Sequence, residues 1–177
     1  LMNFKGLFIK EEITFDAGPL YEAFGDAVRE LSEMRSREGE ALALELSSMT
    51  SDLEAMNENV SSLSASYFDA CKEKYVGRLK ELLPGHDDSR LLQEASYLAE
   101  KADITEEVMR IRSHTGHFRQ ILSEGGPVGR KLDFLLQELN REANTIASKA
   151  EDVRVSSIVI DMKAGIEKAR EQVQNVQ

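Results

Sequence analysis

Apolar residues recur at steps of three and four along most of the 177-residue chain, the period of an α-helix with one buried face. The pattern is strictest in residues 46–67, where the steps alternate as in a heptad repeat. Its members are Leu46, Met49, Leu53, Met56, Val60, Leu63 and Tyr67. A narrow stripe of this kind indicates a helix that packs lengthwise against another helix.

Start and stop signals divide the chain into four predicted helices. Asp16 precedes Pro19, as an N-cap precedes a proline in a first turn, so the first helix is expected over residues 16–83. The turn signal from Pro84 to Asp88 and the Gly125–Pro127 segment then separate helices expected over 89–123, 130–150 and 155–175. Within the first helix we expect a bend or break at Gly39 or at the serine-rich residues 61–66.

The last two predicted helices each have a well-defined apolar face, which we expect to lie in the core. On the third helix this face consists of Leu132, Leu135, Leu136, Leu139, Ala143 and Ile146. On the fourth it consists of Val155, Ile158, Met162, Ile166, Ala169, Val173 and Val176. The chain is therefore predicted to be all-α, with long helices in an extended, coiled-coil-like helical bundle.

Three regions are predicted along the chain. Residues 1–15 contain a short apolar cluster without a partner nearby in sequence, and we interpret them as the tail of a missing N-terminal domain. The alternative is an ordinary ragged terminus. Residues 16–88 are predicted to form a long coiled-coil-like arm, and residues 89–177 a helical C-terminal domain.

Composition narrows the function classes. Hydrophobic residues make up 41% of the chain, which is enough for a core, and no apolar run reaches the roughly 20 residues of a membrane span. The single cysteine, Cys71, excludes an internal disulfide and fits a cytoplasmic protein. The net charge of −10 is unfavourable for nonspecific nucleic-acid binding, so any RNA surface must be a local basic patch.

Paired carboxylates on the third helix are candidates for metal binding. Glu138 and Glu142 are one turn apart, and oxygen ligands in such pairs suit Mg²⁺ or Mn²⁺. A bound ion of this kind can activate water and stabilise charge on a phosphate. The alternative is a set of ordinary surface ion pairs, Glu138 with Arg141 and Glu142 with Lys149.

The second predicted helix carries a similar constellation. Glu107, Arg110 and His114 share a face, and His117 follows His114 by three residues. A histidine near carboxylates can act as a general acid or base or as a metal ligand. The alternative is a hydrogen-bonded packing residue, and two histidines without a third fixed ligand are a weak zinc signal.

Several segments of the chain resemble the YicC family of bacterial endoribonucleases. The run GRKLDFLLQELNREANTIASKAED, residues 129–152, and the ending EKAREQVQNV, residues 167–176, closely resemble that family's C-terminal signature. MRSREGEAL, residues 34–42, and EASYLAEKADITEEVMRIRSH, residues 94–114, are similar to its upstream segments. The resemblance covers nearly the whole chain from about Phe15 onward.

The resemblance implies a cytoplasmic endoribonuclease that cuts RNA with a divalent metal, Mg²⁺ or Mn²⁺, and forms a homo-oligomer, expected to be a hexamer. Our expected catalytic and metal-binding residues are Glu107, His114, Glu138 and Glu142. Our expected RNA-binding residues are Arg110, Arg130, Lys131, Arg141, Asn144 and Lys149, since arginine and lysine suit phosphate. The rival hypothesis is a noncatalytic helical module for oligomerisation, or an adaptor for RNA-degradation partners, favoured by the heptad stripe and the acidic charge.

Overall fold

Helices account for nearly all of the residues that the computed structural model describes, 16–85 and 87–175, with the side chains of 65–69 excepted. The five helices are α1 (Gly18–Leu82), α2 (Asp88–Lys101), α3 (Thr105–Glu124), α4 (Gly129–Lys149) and α5 (Val153–Val173). These residues contain no strand, so the predicted all-α fold is confirmed. None of their helices combines the length and the apolarity that a membrane crossing requires. The expected domain tail at 1–15 lies outside the described residues.

Of the predicted bend or break in the first helix, the break is wrong, because α1 is helical through both Gly39 and residues 61–66. A single glycine costs a helix only about 1 kcal/mol, which neighbouring residues can offset. The serines bond back to their own helix: Ser62 Oγ donates to Asn59 O at 2.8 Å, and Ser64 Oγ donates to Ser61 O at 2.7 Å. Their hydroxyls therefore find partners without an interruption of the helix.

The single helix predicted over 89–123 is also wrong, because residues 102–104 separate α2 from α3. Asp103 Oδ1 accepts hydrogen bonds from Thr105 N at 2.9 Å and from Thr105 Oγ1 at 2.6 Å. An aspartate side chain that binds the backbone ahead of it competes with helical hydrogen bonding. Ala102 and Ile104, on either side of it, are buried, so the interruption is also held by packing.

Two compact units divide the chain between Gly39 and Glu40. In the first unit the described helical residues are exposed to solvent almost throughout. They include a set of large apolar side chains: Leu20, Tyr21, Phe24, Val28, Leu31 and Met34.

The second unit contains a four-helix arrangement of α3, α4, α5 and the part of α1 that follows Glu40. Contacts of Glu54 with Arg119 and of Asn57 with Val108 make α1 antiparallel to α3. A hydrogen bond between Gln172 and Glu45 joins the C-terminal end of α5 to α1. The helix α4 packs against both α3 and α5.

The predicted apolar faces form the core of this arrangement. All six residues assigned to the core face of α4 are buried, and Leu46, Leu53 and Val60 of the heptad stripe join the same cluster. Met49, Met56 and Leu63 are partly buried against it. On α5 the prediction holds for every described member, although Ile158 is only partly buried. The side chain of Tyr67 and all of Val176 lie outside the described part.

A glycine turn joins α3 to α4, as the sequence predicted. Gly125 and Gly126 have φ values of 69° and 82°, in the left-handed region that other residues rarely adopt. Only four residues therefore separate the two helices, and α4 can return along α3.

The start of α5 is fixed by its N-cap, Asp152. Its carboxylate accepts hydrogen bonds from the Arg154 guanidinium at 2.7 Å and from Arg154 N at 2.8 Å. These bonds hold the pKa of Asp152 at about 2, below its ordinary value of 3.8. Because the folded state favours the ionised form, this carboxylate stabilises the fold fully above pH 3.8 and less as the pH falls through about 2.

Truncation of the core is the first test of this fold. Leu136 is 1% exposed, so Leu136→Ala is expected to lower the free energy of unfolding by about 2–5 kcal/mol. Ile160 is 67% exposed on α5, and Ile160→Ala is expected to change it by less than about 0.5 kcal/mol. Urea denaturation monitored by circular dichroism measures the free energy of unfolding of both variants. An equal loss of stability in the two variants would contradict the assigned core.

The N-cap of α5 predicts a dependence on pH. At neutral pH, Asp152→Asn is expected to melt at a lower temperature than the wild type, because the amide carries no charge for Arg154. That difference should shrink as the pH falls from about 4 to about 2, where the wild-type carboxylate becomes protonated. Thermal melts across this range check the prediction, and a difference independent of pH would refute it.

Candidate metal site between α3 and α4

Three side chains converge between α3 and α4. One ligand atom each of His114, Glu138 and Glu142 lies within 4.8 Å of the other two. The helices run antiparallel, because Arg110 pairs with Glu142 and Glu107 pairs with Lys149. This pairing places the middle of α3, where His114 lies, opposite the turn of α4 that carries both glutamates. The structure thus brings together three of the four residues expected to bind metal.

The donor atoms of this cluster fit a divalent cation. Glu142 is only 3% exposed, and a carboxylate in such a place needs a cationic partner. The Nδ1 atom of His114 is buried and has no hydrogen-bond partner among the described residues. One imidazole nitrogen and two carboxylates form a donor set that transition-metal ions accept more readily than Mg²⁺, which prefers oxygen ligands.

Arg110 lies at the edge of the cluster, between two carboxylates. Its guanidinium forms an ion pair with Glu106 on the same helix and contacts Glu142 Oε1 across the seam at 3.4 Å. The negative charges of Glu106 and then Glu142 raise the pKa of Arg110 above its ordinary value. The contact with Glu142 is longer than the 2.7–2.9 Å of a strong charge-assisted bond, so that carboxylate keeps capacity for a further cation.

Glu107, the fourth expected ligand, lies outside this group of three. Its carboxylate is buried and accepts a hydrogen bond from Lys149 Nζ at 2.9 Å, while Nζ also donates to Asp103 O at 3.0 Å. The other oxygen, Oε2, is buried without a hydrogen-bond partner among the described residues. Lys149, expected to contact RNA, is thus engaged in linking α4 to the start of α3.

The remaining expected RNA-binding residues lie on the outer side of α4. Arg130, Lys131, Arg141 and Asn144 are all exposed. Arg141 makes a loose ion pair with Glu138, at 3.9 Å, so this part of the surface-pair alternative is present in the structure. The other part is not, because Glu142 pairs with Arg110 and Lys149 with Glu107.

Sequence reasoning missed two amides whose oxygen atoms are buried. Asn57 is buried on α1 and donates to Val108 O at 3.0 Å, while its Oδ1 has no described partner. Asn140 on α4 has a buried Oδ1 in the same condition. Asn57 lies four residues after Leu53 and three residues before Val60, so the helical spacing of the stripe also places it on the buried side of α1.

Comparisons with known proteins agree on one family. A family model described as "Endoribonuclease YicC-like, C-terminal" matches residues 60–177. A protein of Clostridioides difficile (strain 630) named "Probable endoribonuclease YicC" is 40% identical over 161 residues, covering 89% of this chain and 55% of the relative. A protein of the same name from Haemophilus influenzae is 34% identical, covering 100% of this chain and 62% of the relative. The chain thus spans less than two thirds of the length of these relatives.

The buried ion pair predicts a non-additive stability effect. Lys149→Met is expected to lower the free energy of unfolding by about 1–3 kcal/mol, because the buried Glu107 carboxylate loses its partner. Adding Glu107→Gln should recover part of this loss, since a neutral amide carries no buried charge. A double-mutant cycle by urea denaturation measures the coupling. Simple additivity of the two single variants would show that the pair contributes nothing.

Proposed function

We propose, since this chain belongs to the YicC-like endoribonuclease family, that the full-length protein hydrolyses internal phosphodiester bonds of RNA with the help of a divalent cation. The observation that carries the proposal is the convergence of His114, Glu138 and Glu142 within 4.8 Å. Phosphodiester hydrolysis needs a polarised phosphate and an activated water, and both are within the chemistry of a bound divalent ion.

The cation is expected to be Mn²⁺ in preference to Mg²⁺. His114 contributes a nitrogen donor, which suits Mn²⁺ better than the strictly oxygen-seeking Mg²⁺. Glu138 and Glu142 contribute the negative charge, and Glu142 is held in place by burial and by Arg110. Glu107 is assigned a positioning role, because its carboxylate already binds Lys149.

We assign binding of the RNA backbone to exposed cations on α4, the helix that carries Glu138 and Glu142. Arg130 and Lys131 lie at the N-terminal end of α4, and Arg141 lies next to Glu142 in sequence. Their side chains can pair with phosphate oxygens through guanidinium and ammonium groups. These cations provide the local basic surface that RNA binding requires in a chain with a net charge of −10.

The proposal includes a homo-oligomer of the full-length protein, with a hexamer as the expected order. Its support is the family membership, together with the exposed apolar side chains of the first compact unit.

Removal of one carboxylate tests the site. Glu138→Gln and Glu142→Gln are each expected to slow RNA cleavage in Mn²⁺ by at least about 100-fold, because glutamine keeps the shape and removes the charged ligand. Both should also weaken Mn²⁺ binding in isothermal titration calorimetry. Glu58→Gln is the matched control, since Glu58 is an exposed glutamate that pairs with Arg112 away from the cluster. It is expected to cut like the wild type.

The outcomes separate the site from the activity. Equal cleavage by the wild type and both cluster variants would exclude this cluster as the metal site. The wild-type full-length protein should leave RNA intact in EDTA, which removes the metal. If it also leaves RNA intact in Mn²⁺, the endoribonuclease function itself is contradicted.

A further inference from the structure

Phe134 departs from the sorting of apolar and polar residues on α4. The other large apolar residues of that helix are all buried: Leu132, Leu135, Leu136, Leu139 and Ile146. Phe134 is 59% exposed, and the whole of α4 lies within the described part of the chain. Exposure of an aromatic ring to water is unfavourable, so a ring in this position is available for a contact that removes it from solvent.

The position of Phe134 relates it directly to the candidate metal site. Glu138 follows it by four residues, and residues at this spacing are neighbours on one side of a helix. Arg130 and Lys131 precede it by four and three residues and are both exposed. The ring therefore lies between a pair of cations, one turn away in one direction, and a cluster ligand, one turn away in the other.

We propose that the ring of Phe134 stacks on an unpaired RNA base beside the bond that is cut, and so restricts the substrate to single-stranded RNA. This inference rests on the proposed function. Aromatic side chains are the usual partners of splayed-out bases in RNA recognition, and they accept any base because every base has a π-face. The cations one turn away then hold the phosphate of the same or the next nucleotide.

Base pairing explains why this ring discriminates between substrates. In an RNA duplex the base faces are stacked on one another, so a side chain on a helix surface cannot reach them. Arginine and lysine bind phosphates of paired and unpaired RNA alike. Among the residues assigned to RNA here, Phe134 is thus the one whose contact depends on an open strand.

Binding to three RNA probes tests the proposal on the full-length protein. The probes are a fluorescent single-stranded oligoribonucleotide, its duplex with the complementary strand, and the same strand with abasic positions. Phe134→Ala is expected to weaken binding of the intact single strand by about ten-fold, the effect of one lost base stack. Its binding of the duplex and of the abasic strand should equal that of the wild type. Phe134→Trp should keep the single-strand affinity.

Tyr97→Ala is the matched control. It also removes an aromatic ring that is largely exposed, 53%, but from α2. It should bind all three probes like the wild type. Because Phe134 is exposed, Phe134→Ala should keep the wild-type melting temperature and Mn²⁺ affinity, which shows that fold and cluster remain intact.

Three results would overturn the stacking role. They are equal single-strand affinity in Phe134→Ala and wild type, an equal loss on all three probes, and a changed oligomer mass in light scattering, which would place the ring in a subunit interface. A wild type that shows the predicted binding pattern without cleaving RNA supports stacking and contradicts the proposed function. A wild type that binds none of the probes contradicts both.

Discussion

The burial of two carboxylates between α3 and α4 is the constraint on which the candidate site depends. Glu107 and Glu142 lie out of water, where an ionised group is stable only with a cation nearby. Lys149 of α4 forms an ion pair with Glu107 of α3, and Arg110 of α3 forms an ion pair with Glu142 of α4. These two cross-pairs fix the antiparallel register of the helices, and the register in turn places His114 beside Glu138 and Glu142.

The apolar core makes that register rigid. The buried face of α4 packs between α3 and α5, so α4 cannot rotate about its axis without exposing its leucines to water. The cluster ligands all lie on helices, which hold side chains more precisely than loops do. The outer side of α4 does not pack in the core, and it carries the exposed side chains of Arg130, Lys131 and Phe134. One helix thus serves the core, the cluster and the expected RNA surface.

Periodicity predicted the parts of the fold that depend on burial of a helix face. It identified the core face of α4, most of the core face of α5 and the six described members of the stripe on α1, because burial selects apolar residues at helical spacing. It failed where local polar chemistry decided: Asp103 ended α2, and the serines of α1 bonded within the helix instead of breaking it. A competition between side-chain and backbone hydrogen bonds leaves no periodic signal.

The candidate site could be predicted only in part, for a related reason. Spacing within one helix showed that Glu138 and Glu142 share a side, and that His114 shares a face with Glu107 and Arg110. Contacts across helices were not accessible, so the surface-pair alternative paired Glu142 with Lys149 instead of Arg110, and the predicted metal site included Glu107. These pairings depend on the register of α3 against α4, which no single helix specifies. The exposure of Phe134 likewise suggested a role only once the structure had placed Glu138, one turn away, in the cluster.

The claim that these helices hold a divalent ion is tested most directly by anomalous diffraction from crystals of the full-length protein grown with Mn²⁺. Data collected on either side of the manganese absorption edge locate the metal independently of any activity. We predict a single strong anomalous peak bounded by His114, Glu138 and Glu142 in every copy of the chain. A map without a peak between α3 and α4, or with manganese bound only elsewhere, would contradict the claim.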